Sequence, residues 1–275
     1  MFALRRPPPE RMELAGRRYR LVRVFKHDFF AATCLYQLDD ASAPPGAAAK
    51  IVVKFCRDQS FCGLPMDWIG KLLCDREEAI YKLLAGLAGV PRWVARPGAF
   101  ACAVEYIDSK PLDHFPSPPA GFFDRLRELF DALHARGVAY CDANKRSNIL
   151  VGPDDRPFLV DYQLAIRRRD ELPWPLNAIL RRVVAYLADK DIYHLCKHKR
   201  RLCPNEMTDE ELVISRRRGG LHRLHRQLTK PYRALRRKFL ASQYDKGRLV
   251  SPTADLEDHH QPEKATWRKE RSGGE

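Results

Sequence analysis

Residues 138–166 read VAYCDANKRSNILVGPDDRPFLVDYQLAI, and the way chemistry alternates along them decides the fold. A carboxylate, Asp142, is followed by an amide, Asn148, at the start of the apolar run Ile149, Leu150 and Val151. Glycine, proline and two aspartates fill residues 152–156, a second apolar run follows, and another carboxylate, Asp161, closes it. Two short apolar runs joined by such a turn predict a hairpin. That hairpin would present Asp142, Asn148 and Asp161 at one edge. Three oxygen-bearing side chains there suit holding a magnesium ion and a hydroxyl beside a nucleotide.

Working upstream, residues 19–25 and 33–38 read as strands, and residues 39–49, with a Pro-Pro-Gly, read as a surface turn. Residues 50–56, KIVVKFC, form a β-branched run with a charge, Lys54, in its interior. An ammonium in a buried strand needs a partner; on an edge strand it would instead reach water along its own stem. Residues 67–87 have helical periodicity, with Ile69, Leu73, Ile80, Leu83, Leu84 and Leu87 as an apolar stripe. Glu77 falls on that stripe and Glu78 beside it. A turn at residues 89–91 leads to a strand over 99–107. A proline-rich loop (108–121) and an amphipathic helix (122–136, with Phe123, Leu126, Leu129, Phe130 and Leu133 on one face) deliver the chain to the opening stretch.

The ordered set Lys54, Glu77, Glu105, Asp142, Asn148 and Asp161, each on its own element, resembles the protein-kinase-like phosphotransferases. The resemblance covers roughly residues 19–199. It implies an α+β, two-lobed protein-kinase-like fold with a β-rich N-lobe and a reduced helical C-lobe. Its boundaries would be a flexible N-terminus (1–16), an N-lobe with hinge (17–107), a C-lobe with basic C-terminal helices (108–241) and a disordered tail (242–275). It also implies that Lys54 clamps the α- and β-phosphates of ATP and pairs with Glu77. Val104, Glu105, Tyr106 and Ile107 would line the adenine, and Asn148 and Asp161 would hold magnesium or manganese. Asp142 would orient or deprotonate the acceptor hydroxyl, and Lys145 would meet the γ-phosphate. Asp191 would anchor the backbone of the catalytic loop.

Departures from the pattern are equally specific. No glycine lies between the first two strands, so Lys26 or His27 is expected to supply the phosphate contact. Tyr140-Cys141 stands where His-Arg is usual, Asp142 and Asn148 are one residue further apart, and Asp161-Tyr162-Gln163 replaces Asp-Phe-Gly. The chain has no long activation segment; residues 167–175 lead straight into a helical run over 176–187. These traits are most similar to atypical bacterial kinases of the Kdo/heptose lipopolysaccharide kinase and RIO types, which implies a hydroxyl acceptor on a protein Ser/Thr or a lipopolysaccharide-type sugar. The altered motifs equally allow a pseudokinase that serves as a scaffold or binding module.

Composition sets the partner classes. A net charge of +14 and a pI near 9.6 call for acidic partners. Residues 214–240 concentrate this charge, with apolar residues Leu221, Leu224, Leu228, Tyr232, Leu235 and Phe239 at helical spacing. They read as basic C-terminal helices packed on the lobe, or as a surface for an anionic membrane or RNA. Eight scattered cysteines in a chain of 275 residues read as reduced thiols. With no apolar run of membrane-spanning length, the expectation is a cytoplasmic protein or one peripheral at the inner face of the membrane. His194, Cys196, His198 and Cys203 have residue types suited to zinc, at a spacing that matches no familiar finger.

Overall fold

The structure, a computed structural model, describes residues 3–39, 48–60 and 67–216. The described residues divide into two compact units, one built from those up to 75 together with 94–106, the other from 76–93 and 107–216. Residues 76–93 group with the second unit.

The first unit is an antiparallel sheet. Its strands are β1 (Arg11–Leu14), β2 (Arg17–His27), β3 (Ala31–Leu38), β4 (Lys50–Cys56), β5 (Trp93–Gly98) and β6 (Ala101–Glu105), in the order β1-β2-β3-β4-β6-β5. Tyr19, Val24, Cys34, Tyr36, Ile51, Val53 and Ala103 are buried together as its core. Successive strand residues face opposite ways, so Ile51 and Val53 enter this core while Lys54 projects from the other face. β5 was not foreseen, because Arg96 and Pro97 interrupt its apolar pattern.

The N-terminal segment joins the sheet. β1 pairs with β2, with Met12 opposite Tyr19. Ala3 is buried, its N–H donates to the Asp28 carbonyl (2.8 Å), and the Arg5 N–H donates to the Asp58 carboxylate (3.1 Å). Backbone amides satisfied in this way tie the segment down.

Helix α1 (Asp67–Leu83) buries Gly70, Cys74, Glu77, Ile80 and Leu84's side of its surface, a stripe at three- and four-residue spacing. Leu83, expected on that stripe, is exposed. Gly70 is required by space: a Cβ there would sit 2.0 Å from the Arg57 carbonyl oxygen.

In the second unit, α2 (Phe122–Ala135) buries the whole expected face, Phe123, Leu126, Leu129, Phe130 and Leu133. Short strands complete it: β7 (Lys110–Pro111), β8 (Val138–Ala139), β9 (Ile149–Val151), β10 (Pro157–Leu159) and β11 (Ile166–Arg167). β9 and β10 form the expected hairpin, with Ile149 opposite Leu159, and β8 pairs with β11. The helical run expected over 176–187 and the segment around Asp191 are one continuous helix, α3 (Leu176–Leu202), followed by α4 (Asp209–Arg216). No helix among the described residues is long and apolar enough to cross a membrane. The expected basic helices and disordered tail lie outside the described residues beyond Arg216.

Replacing Gly70 with alanine forces α1 away from the backbone that follows β4. We expect Gly70→Ala to lose about 1–3 kcal/mol of stability in urea denaturation, and a variant as stable as the parent would show that this approach is looser than described.

Candidate functional site

The site in the second unit is built around the segment between β8 and β9. Its backbone is turned by a carboxylate from α3. Asp191 is 1% exposed; its Oδ2 accepts from the Tyr140 N–H (2.7 Å) and its Oδ1 from the Cys141 N–H (2.9 Å). The two consecutive amides point at this one carboxylate through a reversal of the chain's curl, with Cys141 at φ of 68°. His134, at the end of α2, lies 3.2 Å from the same carboxylate. Asp191 therefore holds the loop backbone, as its position in the sequence led one to expect.

Asp142 comes next and is 7% exposed. Its Oδ2 accepts from the Asn148 Nδ2 (2.8 Å) and pairs with the Lys145 Nζ (2.8 Å). Backbone bonds from Lys145 N–H to Asp142 C=O (3.1 Å) and from Asn148 N–H to Lys145 C=O (3.2 Å) coil the intervening residues into a turn. Burial pushes the Asp142 carboxyl above the usual aspartate range; Asp161 adds to the effect, while Lys145 and Asn148 draw it back. Because the Asn148 nitrogen is turned to Asp142, its amide presents oxygen, not nitrogen, to a cation. Asp161, at φ 64° and ψ 73°, adopts the left-handed conformation that aspartate tolerates better than most residues. A carboxylate and an amide oxygen are donors of the hard type that magnesium selects, so these residues fit it.

Three tyrosines support this loop from behind. The Tyr140 hydroxyl donates to the Val160 carbonyl, immediately before Asp161. Tyr162 packs edge-on against Tyr140 and against Tyr81 of α1, with ring centroids 5.3 and 5.0 Å away. Burial, with the nearby Glu77 carboxylate, holds the Tyr162 phenol well above its ordinary pKa, so it stays neutral. Glu77 is itself buried, whereas Glu78 pairs with Lys82 on its own helix (2.7 Å). Arg76 on α1 donates to the Ala165 carbonyl (3.1 Å).

In the first unit, Lys54 is half-buried on β4, in register with Thr33 and Cys102. Val104 and Glu105 lie opposite Val52 and Ile51, and the Tyr106 N–H donates to the Lys50 carbonyl (3.1 Å), which commits that amide to the sheet. Ile107, in the second unit, accepts from the Ser109 hydroxyl (3.0 Å). The turn between β2 and β3 differs from expectation. Lys26 pairs with Asp28 (2.7 Å) and His27 is buried, its ring accepting from the Leu4 N–H (3.4 Å). Both side chains expected to contact phosphate are thus engaged within the fold.

Sequence reasoning missed His134 and Lys197 and gave His198 only as a zinc-type residue. His198 is buried with Nε2 2.9 Å from the Ala143 carbonyl, and the Lys197 Nζ donates to the Asn144 Oδ1 (2.9 Å), so α3 also holds the two residues that follow Asp142. Burial lowers the His198 pKa to about 4, which keeps the ring neutral. Their only signal was spacing: His194 and His198 share a helix face with Asp191. Among the described residues, no group of three His, Cys, Asp or Glu side chains is arranged to hold a metal ion, and His198 serves the loop instead.

No protein-family profile matches the chain, and no curated protein matches it. Among solved structures it is similar to the Rio2 kinase from Chaetomium thermophilum, with a TM-score of 0.47 and 16% identity over 66% of this chain and 57% of that one. The Rio2 kinase-ADP/Mg2+-phosphoaspartate complex from the same organism gives a TM-score of 0.48 and 16% identity over 69% and 58%. The chain thus spans somewhat more than half the length of these structures.

Asp191→Ala would leave two buried N–H groups without an acceptor. We expect it to cost roughly 2–5 kcal/mol in chemical denaturation and to expose the amides of Tyr140 and Cys141 to hydrogen exchange. Unchanged protection at those amides would rule out the anchoring role.

Proposed function

We propose that the chain is an ATP-dependent phosphotransferase that moves the γ-phosphoryl group to a hydroxyl, on a protein Ser/Thr or on a lipopolysaccharide-type sugar. The observation that carries this reading is the buried Asp142, bonded to Asn148 and Lys145, within electrostatic range of Asp161 and held on a backbone fixed by Asp191. Such a group can accept a proton from an attacking hydroxyl, provided that it is ionised.

On this reading Asp142 orients the acceptor hydroxyl and takes its proton, while Lys145 offsets charge on the group in transfer. Lys54 holds the α- and β-phosphates and Glu77 orients Lys54. Val104 and the backbone of Glu105 and Ile107 receive the adenine; Tyr106 contributes its carbonyl and ring, since its amide serves β4. Asn148 and Asp161 would hold magnesium, which supplies positive charge to the phosphates. A protein that acts on nucleotide in this way fits the cytoplasm or the inner face of a membrane.

A second reading, a binding module without transfer activity, draws on the turn between β2 and β3. The Phe30 and Ala31 amides there donate to Asp28 (2.8 and 2.9 Å), so a carboxylate occupies the tip where phosphate would be received.

Labelled ATP with magnesium or manganese decides between them. We expect transfer or hydrolysis by the full chain, reduced by about 10²–10⁴-fold in Asp142→Ala and similarly in Asp161→Ala. Equal signals from parent and both variants, or no nucleotide binding at all, would leave the binding module as the reading that stands.

The pH profile gives an independent check. Asp142 must be ionised to accept a proton, so activity falls as pH drops through its pKa, which burial raises above the usual aspartate range. Lys145 stabilises the ionised form, so Lys145→Met removes a cation and moves the acid limb of kcat/KM to higher pH. A limb that stays in place, or moves down, is incompatible with Asp142 as the base.

A further inference from the structure

The first unit gathers three cysteines on the face of its sheet away from the core. Ile51, Val53 and Phe55 of β4 turn to that core, as do Ala101 and Ala103 of β6, so alternation puts Lys54, Cys56 and Cys102 together on the other face. Lys54 stands opposite Cys102, which makes Cys56 the diagonal neighbour of Cys102. Helix α1 lies over this face at the same end of the strands. A Cβ on its Gly70 would meet the carbonyl of Arg57, the residue after Cys56, and Cys74 follows Gly70 by one turn on the same side of the helix. Cys74 thereby comes within hydrogen-bonding reach of both the Cys102 and the Cys56 thiols, and all three are buried.

We propose that this cluster is a redox site, in which Cys74 is oxidised by a hydroperoxide and then joined to Cys102 in a disulfide that ties α1 to β6. The proposal does not depend on the phosphotransferase reading.

One of the three thiols is set apart. Cys102 and then Cys56 donate S–H bonds to Cys74, and the Arg96 guanidinium adds positive charge; together they outweigh burial and hold Cys74 well below the ordinary thiol range. Burial without such partners does the reverse to Cys34, which is pushed up to about 12. Cys74 is therefore the thiolate of the cluster, and the thiolate is the form that attacks a peroxide. Arg96 and Asp75, the two charged side chains that act on Cys74, pair with each other (2.6 Å) and are partly exposed, so parting them by local opening admits a small oxidant.

Sheet geometry decides the pairing. Diagonal neighbours stand roughly 7–8 Å apart, whereas disulfide-linked Cα atoms are usually about 4.4–6.8 Å apart, so Cys56 and Cys102 are poorly placed to join each other. Cys74 reaches both from the helix, and the larger hydrogen-bond effect on it comes from Cys102.

The chemistry balances over two steps. The Cys74 thiolate attacks the peroxide, an S–O bond forms as the O–O bond breaks, and the leaving oxygen takes a proton from solvent to give an alcohol or water. The Cys102 sulfur then attacks the Cys74 sulfenic acid; an S–S bond forms, the S–O bond breaks, and hydroxide leaves with the Cys102 proton as water. Two thiols lose two electrons in all, and one peroxide is reduced.

The test treats the reduced full chain with hydrogen peroxide, blocks the remaining thiols with N-ethylmaleimide in denaturant and maps the cross-links by mass spectrometry. The expected product is an intrachain disulfide between Cys74 and Cys102 that dithiothreitol reverses, that survives Cys56→Ser and that does not form in Cys74→Ser. In the double variant Cys56→Ser, Cys102→Ser the sulfenic acid on Cys74 should accumulate and be labelled by dimedone. The rate of Cys74 oxidation in the parent chain needs no variant. It should change by less than roughly threefold between about pH 8 and pH 6, where a thiol of ordinary pKa, about 8.5, slows roughly a hundredfold. A rate that follows the ordinary thiol, a disulfide between any other pair, or oxidation that leaves Cys74 untouched overturns the proposal.

Discussion

Everything in the second unit is arranged around one buried charge. The Asp191 carboxylate is 1% exposed, and a carboxylate so placed is tolerated only when strong hydrogen bonds replace its water. Those bonds come from the Tyr140 and Cys141 amides, and supplying both from adjacent residues requires the left-handed turn at Cys141. That turn in turn sets the direction in which Asp142 leaves the backbone. A side chain in the middle of α3 thus fixes the position of the next residue in a loop far away in sequence.

A second layer of order comes from aromatic contacts where a more mobile arrangement would use histidine, phenylalanine and glycine. Tyr140 reaches the Val160 carbonyl by its hydroxyl, and Tyr162 stands edge-on to Tyr140 and Tyr81. Edge-to-face pairs contribute about 0.5–1.5 kcal/mol each beyond their buried area. Two of them converge on the Tyr162 ring, the residue that follows the left-handed Asp161. The lack of a glycine after Tyr162 is consistent with this packing, because the segment is held and has no need to swing.

Much of this was legible in the sequence, for reasons that can be named. The β9–β10 hairpin announced itself through turn residues between apolar runs, and α2 through a face of five apolar residues at helical spacing. β4 was readable end to end because valine and isoleucine dominate it. What escaped notice depended on contacts between distant residues. β5 has a charged and proline-containing sequence and is a strand only because β6 offers it an edge. The N-terminal segment looked loose because its order comes from backbone bonds to Asp28 and Asp58, which no local pattern records. His198 read as a possible metal ligand because its side chain suits that role; only the fold shows its ring at the Ala143 carbonyl.

The turn between β2 and β3 shows how one substitution of strategy constrains the rest. A glycine-rich turn offers free amides to phosphate because its backbone can approach closely. Here Asp28 accepts from the Phe30 and Ala31 amides, Lys26 neutralises it, and Arg57 donates to the Phe29 carbonyl (2.7 Å) while lying 4.0 Å over the Phe29 ring. Burial alone would raise the Asp28 pKa, but the Lys26 pair and the two amides outweigh it and leave it lowered, so the carboxylate is charged at neutral pH. The Phe30 and Ala31 amides of the turn are therefore already committed, and its carboxylate is paired with Lys26. A nucleotide bound by this chain would gain little from the turn. Lys54, by contrast, stands half-buried on the face of β4 opposite the core, where alternation along the strand places it.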